Sequence, residues 1–198
     1  MTKIVPLPLV LKLGGSLAES GRLHAILDLV AGAQLPVVVV PGGGPFADAV
    51  RAIQPQLQLS DHDAHGLALL AMHQIGLVII RRHARFAPVA SLDEITSALA
   101  AAKIPVWNPF ALQHDDTTIP ADWTVTSDAL AARLAERLGR AHVALLKSCA
   151  IPPDATLAAL TSAGFVDPVF AKIVTRAGLT WRAFGAGDEN RLAAVLNP

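Results

Sequence analysis

The sequence of 198 residues has little charge, few aromatic residues, no tyrosine and one cysteine, Cys149. A lone cysteine cannot build a disulfide framework, so a small disulfide-stapled scaffold is excluded and a reducing, cytoplasmic setting is expected. The 16 basic residues balance the 16 acidic ones. No basic cluster with interleaved aromatic residues is present, so a nucleic-acid partner is not expected.

Long unbroken apolar runs are also missing. The longest apolar region, residues 67–80, contains His73 and Gln74 and is short for a bilayer span, so no membrane segment is expected. The apolar opening of the chain is interrupted by Pro6 and Pro8 and has no small-residue cleavage site, so we expect it to lead into a first strand. Neither GxGxxG nor a Walker A motif occurs, which disfavours the common nucleotide-binding folds.

What the chain has in excess is apolar residues, at 53%. The length suits one domain with a substantial core, and we expect a single domain over residues 1–198. A low charged fraction indicates that part of the surface is covered by other copies of the chain. We therefore expect a homo-oligomer.

A lysine in an apolar run opens the first informative segment. Residues 10–13 predict a buried strand, which continues through Lys12 into Gly14, Gly15 and Ser16 and then into a helix. Glycines at such a junction let the backbone approach a ligand, and the first amides of the helix favour an anion. Taken alone, the same residues could form an ordinary strand-to-helix turn.

The arrangement of strand, glycine loop and helix then occurs a second time. Residues 36–40 include four consecutive valines, which predict a strand buried on both faces, as in a parallel sheet covered by helices. That strand runs into Gly42, Gly43 and Gly44, and a helical pattern follows over residues 46–53. Two such loops would meet at the carboxyl edge of one sheet, where ligands bind in open α/β folds.

The remaining pattern alternates helices and strands. A capping signal at Ser60 or Asp61 predicts a helix through Met72, and the sequence Ser91-Leu92-Asp93-Glu94 predicts a capping box. Further helices are predicted over residues 23–30, 92–102, 129–138 and 155–163 and around Lys172, and further strands over residues 77–80, 104–109, 141–146 and 181–184. Residues 114–118 are predicted to be a polar loop between two halves of the domain.

Two polar clusters have competing interpretations. The spacing of His62, Asp63, His65 and His73 is not that of a zinc motif, so we interpret them as the polar end of a helix that faces a substrate cleft. The arginines at 81, 82 and 85 form either a solvated basic corner or a clamp on an anionic acceptor.

A third segment, Thr126-Ser127-Asp128, precedes an alanine-rich helix. Ser127 or Asp128 could simply cap that helix, or Asp128 could have a functional role. Downstream, a predicted buried strand ends in Lys147 and Ser148.

Three motifs occur here in the order found in the amino acid kinase superfamily: Lys12 to Ser16, Pro41 to Pro45, and Thr126 to Asp128. The chain resembles that superfamily over nearly its whole length. Pro41 to Asp48, Ser60 to His65, Ala71-Met72 and residues 145–147 are most similar to the [5-(aminomethyl)furan-3-yl]methyl phosphate kinases of methanofuran-type cofactor biosynthesis. Those enzymes use ATP to convert a furanmethyl phosphate to its diphosphate.

The resemblance implies an α/β fold, a three-layer αβα sandwich with a largely parallel central sheet. Residues 1–115 would bind the acceptor and residues 116–198 would bind the nucleotide. ATP and Mg²⁺ would be the cofactors, a small phosphate the substrate, and no protein side chain is assigned to a metal. The implied catalytic residues are Lys12, Asp128 and Lys172, and the implied phosphate-binding residues are Gly14, Gly15, Ser16, Gly42, Gly43, Gly44, Lys147 and Ser148.

Some alternatives stay open within this resemblance. Lys147 and Lys172 both suit the role of a second catalytic lysine. Pro41 stands where isopentenyl phosphate kinases have a histidine, which disfavours that acceptor, and a uridylate-type kinase is the main enzymatic rival. A non-catalytic nucleotide-binding or oxyanion-storage protein of the same fold is the alternative from another class.

Overall fold

The structure is a computed structural model that describes residues 7–113 and 116–198. Within these residues, six strands form one sheet in the order β3-β4-β2-β1-β5-β6, and every neighbouring pair is parallel. The strands are β1 (Leu9–Leu13), β2 (Val37–Pro41), β3 (Phe86–Val89), β4 (Ile104–Trp107), β5 (His142–Leu146) and β6 (Trp181–Phe184). The helices are α1 (Leu23–Ala31), α2 (Gly44–Ile53), α3 (Asp61–Ile80), α4 (Leu92–Ala100), α5 (Phe110–Gln113), α6 (Ser127–Arg137), α7 (Leu157–Ser162), α8 (Pro168–Ala177) and α9 (Glu189–Leu196).

The central strands are apolar on both faces because both faces are covered by helices. Every residue of β1 and β2 is buried. Alternate residues point to opposite layers: Leu11 packs in a cluster with α1 and α9, whereas Val10 packs in a cluster with α6 and α8. The three-layer αβα sandwich expected from the sequence is confirmed.

The strand register brings the ends of three strands to the same level. Lys12 of β1 lies opposite Val40 of β2 and Leu145 of β5. β2 lies on one side of β1 and β5 on the other, so the loops that follow these strands diverge from a switch point in the strand order. In open α/β sheets this is where a ligand crevice forms, at the carboxyl ends of the strands.

The strand predicted over residues 77–80 is wrong, because these residues form the last turn of α3. The helix begins at the predicted cap, where the Ser60 side chain accepts a hydrogen bond from the Asp63 amide, and it continues through Gly76 without a break. Val78 is exposed and Ile79 is buried, as on a helix with one face packed. The third strand lies later in the chain, at Phe86–Val89.

Helix α3 also exceeds the apolar length expected from the sequence. Its 20 residues are long and apolar enough, by length and composition alone, to cross a membrane. In the structure, 44% of its most apolar stretch of 18 residues is buried, and the helix packs against α2 and strands β2, β3 and β4. One face of α3 therefore packs on the rest of the fold, and the other face is exposed.

The other predicted helices and strands are present with small shifts at their ends. Two short features were not predicted: helix α5 and the single 3₁₀ turn at Gly15–Ala18. Helix α9, which covers the α1 side of the sheet, was also missed. Pro6 and residues 114–115 of the predicted polar loop lie outside the described residues.

Candidate functional site

The two glycine loops contact each other main chain to main chain at the carboxyl edge of the sheet. A Cβ atom on Gly15 would lie 2.1 Å from the Gly44 nitrogen, and one on Gly42 would lie 2.3 Å from the Gly15 nitrogen. Real Cβ atoms do not approach backbone so closely, so no side chain fits at either position. Glycine is therefore required here by the close approach of the loops.

The second loop leads directly into the N-terminus of α2. Gly44 adopts a left-handed φ of 54°, and the capping residue Gly43 has no side chain to bond the first amides of the helix. By contrast, side chains cap α3, α4, α6, α7 and α8. The first amides of α2, which no side chain caps, favour an anion at this position together with the helix dipole.

A buried carboxylate joins two lysines beside these loops. Asp128 Oδ1 lies 2.8 Å from Lys12 Nζ, and Asp128 Oδ2 lies 2.5 Å from Lys147 Nζ. Lys12 and Asp128 are buried, and the Lys147 side chain is 14% exposed. Lys12 lies in β1, Asp128 in α6, and Lys147 directly after β5, so the cluster depends on the parallel register of β1 and β5.

Burial and mutual charge control the ionisation of this cluster. Burial by itself would raise the pKa of Asp128, but the charges of Lys12 and Lys147 and their hydrogen bonds outweigh it, and the pKa is lowered. Burial and the neighbouring charge of Lys12 lower the pKa of Lys147 to about 8, although Asp128 opposes the shift. Lys147 therefore titrates close to physiological pH.

The capping interpretation of Ser127 and Asp128 is wrong. Thr126 is the N-cap of α6, and its side chain accepts a hydrogen bond from the Asp128 amide at 3.2 Å. Because the threonine takes the capping role, the carboxylate of Asp128 is directed to the lysines. The sequence Thr-Ser-Asp offered three capping side chains, and local pattern alone did not distinguish them.

Polar contacts join the loops that follow β1, β5 and β6 at the carboxyl edge of the sheet. The hydroxyls of Ser16 and Ser148 lie 2.7 Å apart, which links the loop after β1 to the loop after β5. Arg22 forms an ion pair with Glu189 and donates to the Ser148 carbonyl at 3.2 Å and the Gly185 carbonyl at 3.4 Å. The predicted phosphate-binding residues are thus brought together around one crevice.

A pocket of about 270 Å³ opens beside the glycine loops, between α2, α3 and the start of α6. Its apolar wall includes Leu69, Met72 and Leu130, and the buried His65 of the predicted polar helix end also lines it. At its rim, the Arg51 guanidinium lies 4.3 Å from the ring centroid of Trp123. The pocket can hold a small organic group attached to an anion at the glycines.

Other residues considered for the site from the sequence do not join this cluster among the described residues. Lys172 is exposed on α8 and is not a member of the Lys12–Asp128–Lys147 cluster. Arg82 pairs with Asp28, and Arg85 donates to the carbonyls of Ala31 and Ala33, so the anion-clamp interpretation is wrong. These arginines precede β3 and therefore lie at the opposite, amino edge of the sheet.

No group of three or more His, Cys, Asp or Glu side chains is arranged to hold a metal ion within residues 7–113 and 116–198. Sequence reasoning did not single out two residues that support the site, Arg22 and Asp167. The Asp-Pro pair at 167–168 is a helix-start signal, but its contacts with α6 depend on the tertiary structure.

Comparison with known proteins adds a family assignment. The model of the amino acid kinase family matches residues 8–149. A [5-(aminomethyl)furan-3-yl]methyl phosphate kinase from Methanocaldococcus jannaschii is 28% identical over 134 residues, which is 65% of this chain. The match covers 60% of that protein's length.

Two solved structures share the fold. A uridylate kinase from Archaeoglobus fulgidus superposes with a TM-score of 0.64 at 20% identity, over 95% of this chain and 94% of that chain. An isopentenyl phosphate kinase superposes with a TM-score of 0.58 at 14% identity, over 94% and 96% respectively.

Proposed function

Because the chain belongs to the amino acid kinase family, we propose that it transfers the γ-phosphoryl group of ATP to a small phosphomonoester and forms a diphosphate. The observation that carries the proposal is the Lys12–Asp128–Lys147 cluster, located where two anion-favouring glycine loops meet. Phosphoryl transfer needs alignment and charge neutralisation more than it needs a strong base. The site supplies both.

The reaction balances without a protein base. An oxygen of the acceptor phosphate bonds to the γ-phosphorus while the bond to the β–γ bridging oxygen breaks, and ADP leaves. A phosphomonoester has a second pKa of about 6, so its oxygen is already anionic at neutral pH. Lys12 and Lys147 would neutralise charge on the phosphoryl group in flight, and Asp128 would hold both ammonium groups in place.

Mg²⁺ would be bound together with the nucleotide and would supply further charge neutralisation for its phosphates. Asp128 is engaged by two lysines and so is not assigned as a metal ligand. Gly15, Gly43 and Gly44 would present amides to the phosphates, and Ser16 and Ser148 their hydroxyls. The amides of Gly14 and Gly42 already donate to the carbonyls of Leu146 and Leu13, so these two glycines would only allow the close approach of the main chain. We propose that residues 1–115 bind the acceptor and residues 116–198 the nucleotide, with Lys172 held as an alternative second lysine.

For the acceptor itself, we propose an aminomethylfuran-methyl phosphate. The similarity to the Methanocaldococcus jannaschii kinase supports this choice, and so does the small pocket with one apolar wall. Kinases of UMP and of isopentenyl phosphate share the fold, and their acceptors are the rivals.

The test is acceptor-dependent ADP release with ATP and Mg²⁺ across a panel containing a furanmethyl phosphate, UMP and isopentenyl phosphate. We expect the furanmethyl phosphate to have the highest kcat/KM, and Asp128→Asn to abolish turnover. A higher kcat/KM for UMP would refute the furan assignment only. Binding of ATP with no ADP release from any phosphate would instead support a nucleotide-binding storage protein.

We also propose a homo-oligomer. Helices α2 and α3 pack together and leave apolar side chains exposed on their outer surface, namely Phe46, Ile53, Leu67, Leu70, Leu77 and Val78. A soluble chain rarely exposes so many neighbouring apolar side chains without a partner. A second copy of the chain would cover them.

A further inference from the structure

Asp167 is a buried carboxylate at the start of α8 that the proposed mechanism leaves without a role. Its Oδ1 accepts a hydrogen bond from the Phe170 amide at 2.6 Å, which caps its own helix. Its Oδ2 accepts three more, from the Thr126 hydroxyl at 2.6 Å, the Thr126 amide at 3.1 Å and the Ala129 amide at 3.1 Å. One side chain therefore holds the starts of two helices together.

Asp167 Oδ2 is hydrogen-bonded to the turn that contains Asp128. Its donors lie on both sides of Asp128 in the sequence, at positions 126 and 129. The Thr126 hydroxyl donates to Asp167 and at the same time accepts from the Asp128 amide. A continuous polar chain thus runs from Asp167 through Thr126 to the backbone of Asp128, whose carboxylate separates the two lysines.

The charge of Asp167 also connects it to the lysines, in addition to these hydrogen bonds. Four charged groups face one another in the buried region: Lys12 from β1, Lys147 after β5, Asp128 from α6 and Asp167 from α8. Burial raises the pKa of Asp167, while its bonds from Thr126 and Phe170 oppose the shift. When ionised, Asp167 makes the pair of lysines and pair of carboxylates neutral overall, and its charge favours the protonated form of Lys147.

We propose that Asp167 is a positioning residue for phosphoryl transfer, which fixes Asp128 and thereby the spacing and charge of Lys12 and Lys147 without touching the substrates. The kinetic part of this inference rests on the proposed function. A plain helix cap would stabilise α8 and leave the lysines unaffected, so the two roles give different results.

The test variant is Asp167→Asn. An amide group has only one acceptor atom, so it cannot satisfy the donors at both oxygens. We expect kcat to fall about 10- to 100-fold with KM for ATP changed less than about threefold, because the misplaced lysines stabilise the transition state less. We expect kcat/KM to fall at alkaline pH as Lys147 loses its proton, and this fall is the basic limb of the pH profile. Removal of the negative charge of Asp167 should move the basic limb to lower pH.

The matched control is Ser91→Ala, which removes the cap of α4 on the other half of the sheet. It should lower the melting temperature without changing kcat or the basic limb. Thr126→Val breaks the same polar chain at its middle and should reproduce the kinetic loss, whereas Thr126→Ser should restore it. If Asp167→Asn changed only the melting temperature, Asp167 would be a helix cap and the inference would be wrong.

A second readout does not depend on activity. The chain has five lysines, so protein labelled selectively at lysine gives a simple NMR spectrum. From this spectrum the pH midpoint of the Lys147 titration can be followed. We expect that midpoint to fall in Asp167→Asn and to stay unchanged in Ser91→Ala. If no phosphate is turned over by the parent protein, the proposed function fails, and this measurement still decides the inference: an unchanged midpoint would overturn it.

Discussion

Lys12 is a charged side chain in the central strand of the sheet, a position that normally requires an apolar residue. Burial of an ammonium group is costly unless a counter-charge is in contact. Asp128 meets that need from the helix layer, and it serves Lys147 as well. Because one carboxylate contacts both ammonium groups, each of them keeps N–H donors for an incoming phosphate.

The first prediction at this scale compares two lysines. Lys147→Met should lower kcat by at least about 10²-fold, because it removes a charge held beside Asp128. Lys172→Met should lower kcat less, since that side chain is exposed on α8. Steady-state ADP release measures both.

Lys103→Met is the control, because this exposed lysine precedes β4 at the amino edge of the sheet and donates to the Ala84 carbonyl. It should leave kcat unchanged. If Lys172→Met caused the larger loss, the second catalytic lysine would be Lys172, and Lys147 would have a supporting role.

The second prediction concerns pH. Lys147 has a lowered pKa of about 8, so its charge is present below that pH and lost above it. We expect kcat/KM to fall as pH rises through about 8. Bound phosphates favour the charged form, so the limb in kcat should lie at higher pH. Lys147→Arg keeps the charge throughout, and its profile should lack the limb.

Unfolding cannot mimic this result through the same group. A lysine in the unfolded chain has a pKa of about 10.4. Between pH 8 and that value the unfolded chain binds the extra proton, so the contribution of Lys147 to stability rises with pH while activity falls. A melting temperature measured at each pH separates the two effects. A profile of the unsubstituted protein that is flat to pH 9.5 would contradict the assignment.

At the scale of elements, the site is a product of two strand-loop-helix units laid side by side. Their loops meet main chain to main chain at Gly15, Gly42 and Gly44. The same contact leaves the N-terminal amides of α2 without a side-chain cap. A phosphate between the units would replace that cap.

The prediction at this scale is that Gly42→Ala separates the loops. The added Cβ would lie 2.3 Å from the Gly15 nitrogen, so backbone must move. We expect kcat/KM to fall more than about tenfold, because a small misplacement of phosphate-binding amides is costly in phosphoryl transfer. Acceptor-dependent ADP release is the measurement.

Gly76→Ala is the matched control within α3. A Cβ there would make ordinary contacts of 3.6 Å with Val106 and 3.7 Å with Pro41. Since alanine favours the helix by up to about 1 kcal/mol, stability should be equal or higher and activity unchanged. Normal activity of Gly42→Ala would show that the close approach of the loops is not required.

At the scale of the whole molecule, the apolar surplus of the sequence is divided between core and surface. Two hydrophobic layers cover the sheet, yet α2 and α3 still expose large apolar side chains, with Leu77 at 47% and Val78 at 48%. An oligomer would bury this surface. It would also explain why α3 is as apolar as a membrane span.

We expect light scattering to give a mass of at least twice 20.7 kDa. The double variant Leu70→Asp with Leu77→Asp should lower that mass to the monomer, because both changes place charge on the exposed face of α3. Leu7→Asp alters an exposed leucine just before β1 and should leave the mass unchanged. A monomeric mass for the unsubstituted protein at micromolar concentration would contradict the prediction.

Much of this molecule follows from local sequence. The valine-rich strand at residues 37–41, the glycine loops and the capped helices each arise from residues that are neighbours in the chain, so their patterns predicted them. The prediction for residues 77–80 was wrong because a β-branched apolar run suits a buried strand and the end of a long helix equally well.

The arrangement of the site was decided by tertiary structure. Lys12, Asp128 and Lys147 are far apart in the sequence, and only the parallel register of β1 and β5 and the docking of α6 bring both ammonium groups within 2.8 Å of the Asp128 carboxylate. The same is true of Asp167, which the sequence did not single out and which is bonded to the starts of two helices. A local pattern records which groups a residue carries, whereas charge pairing across a sheet depends on distances that only the packed fold sets.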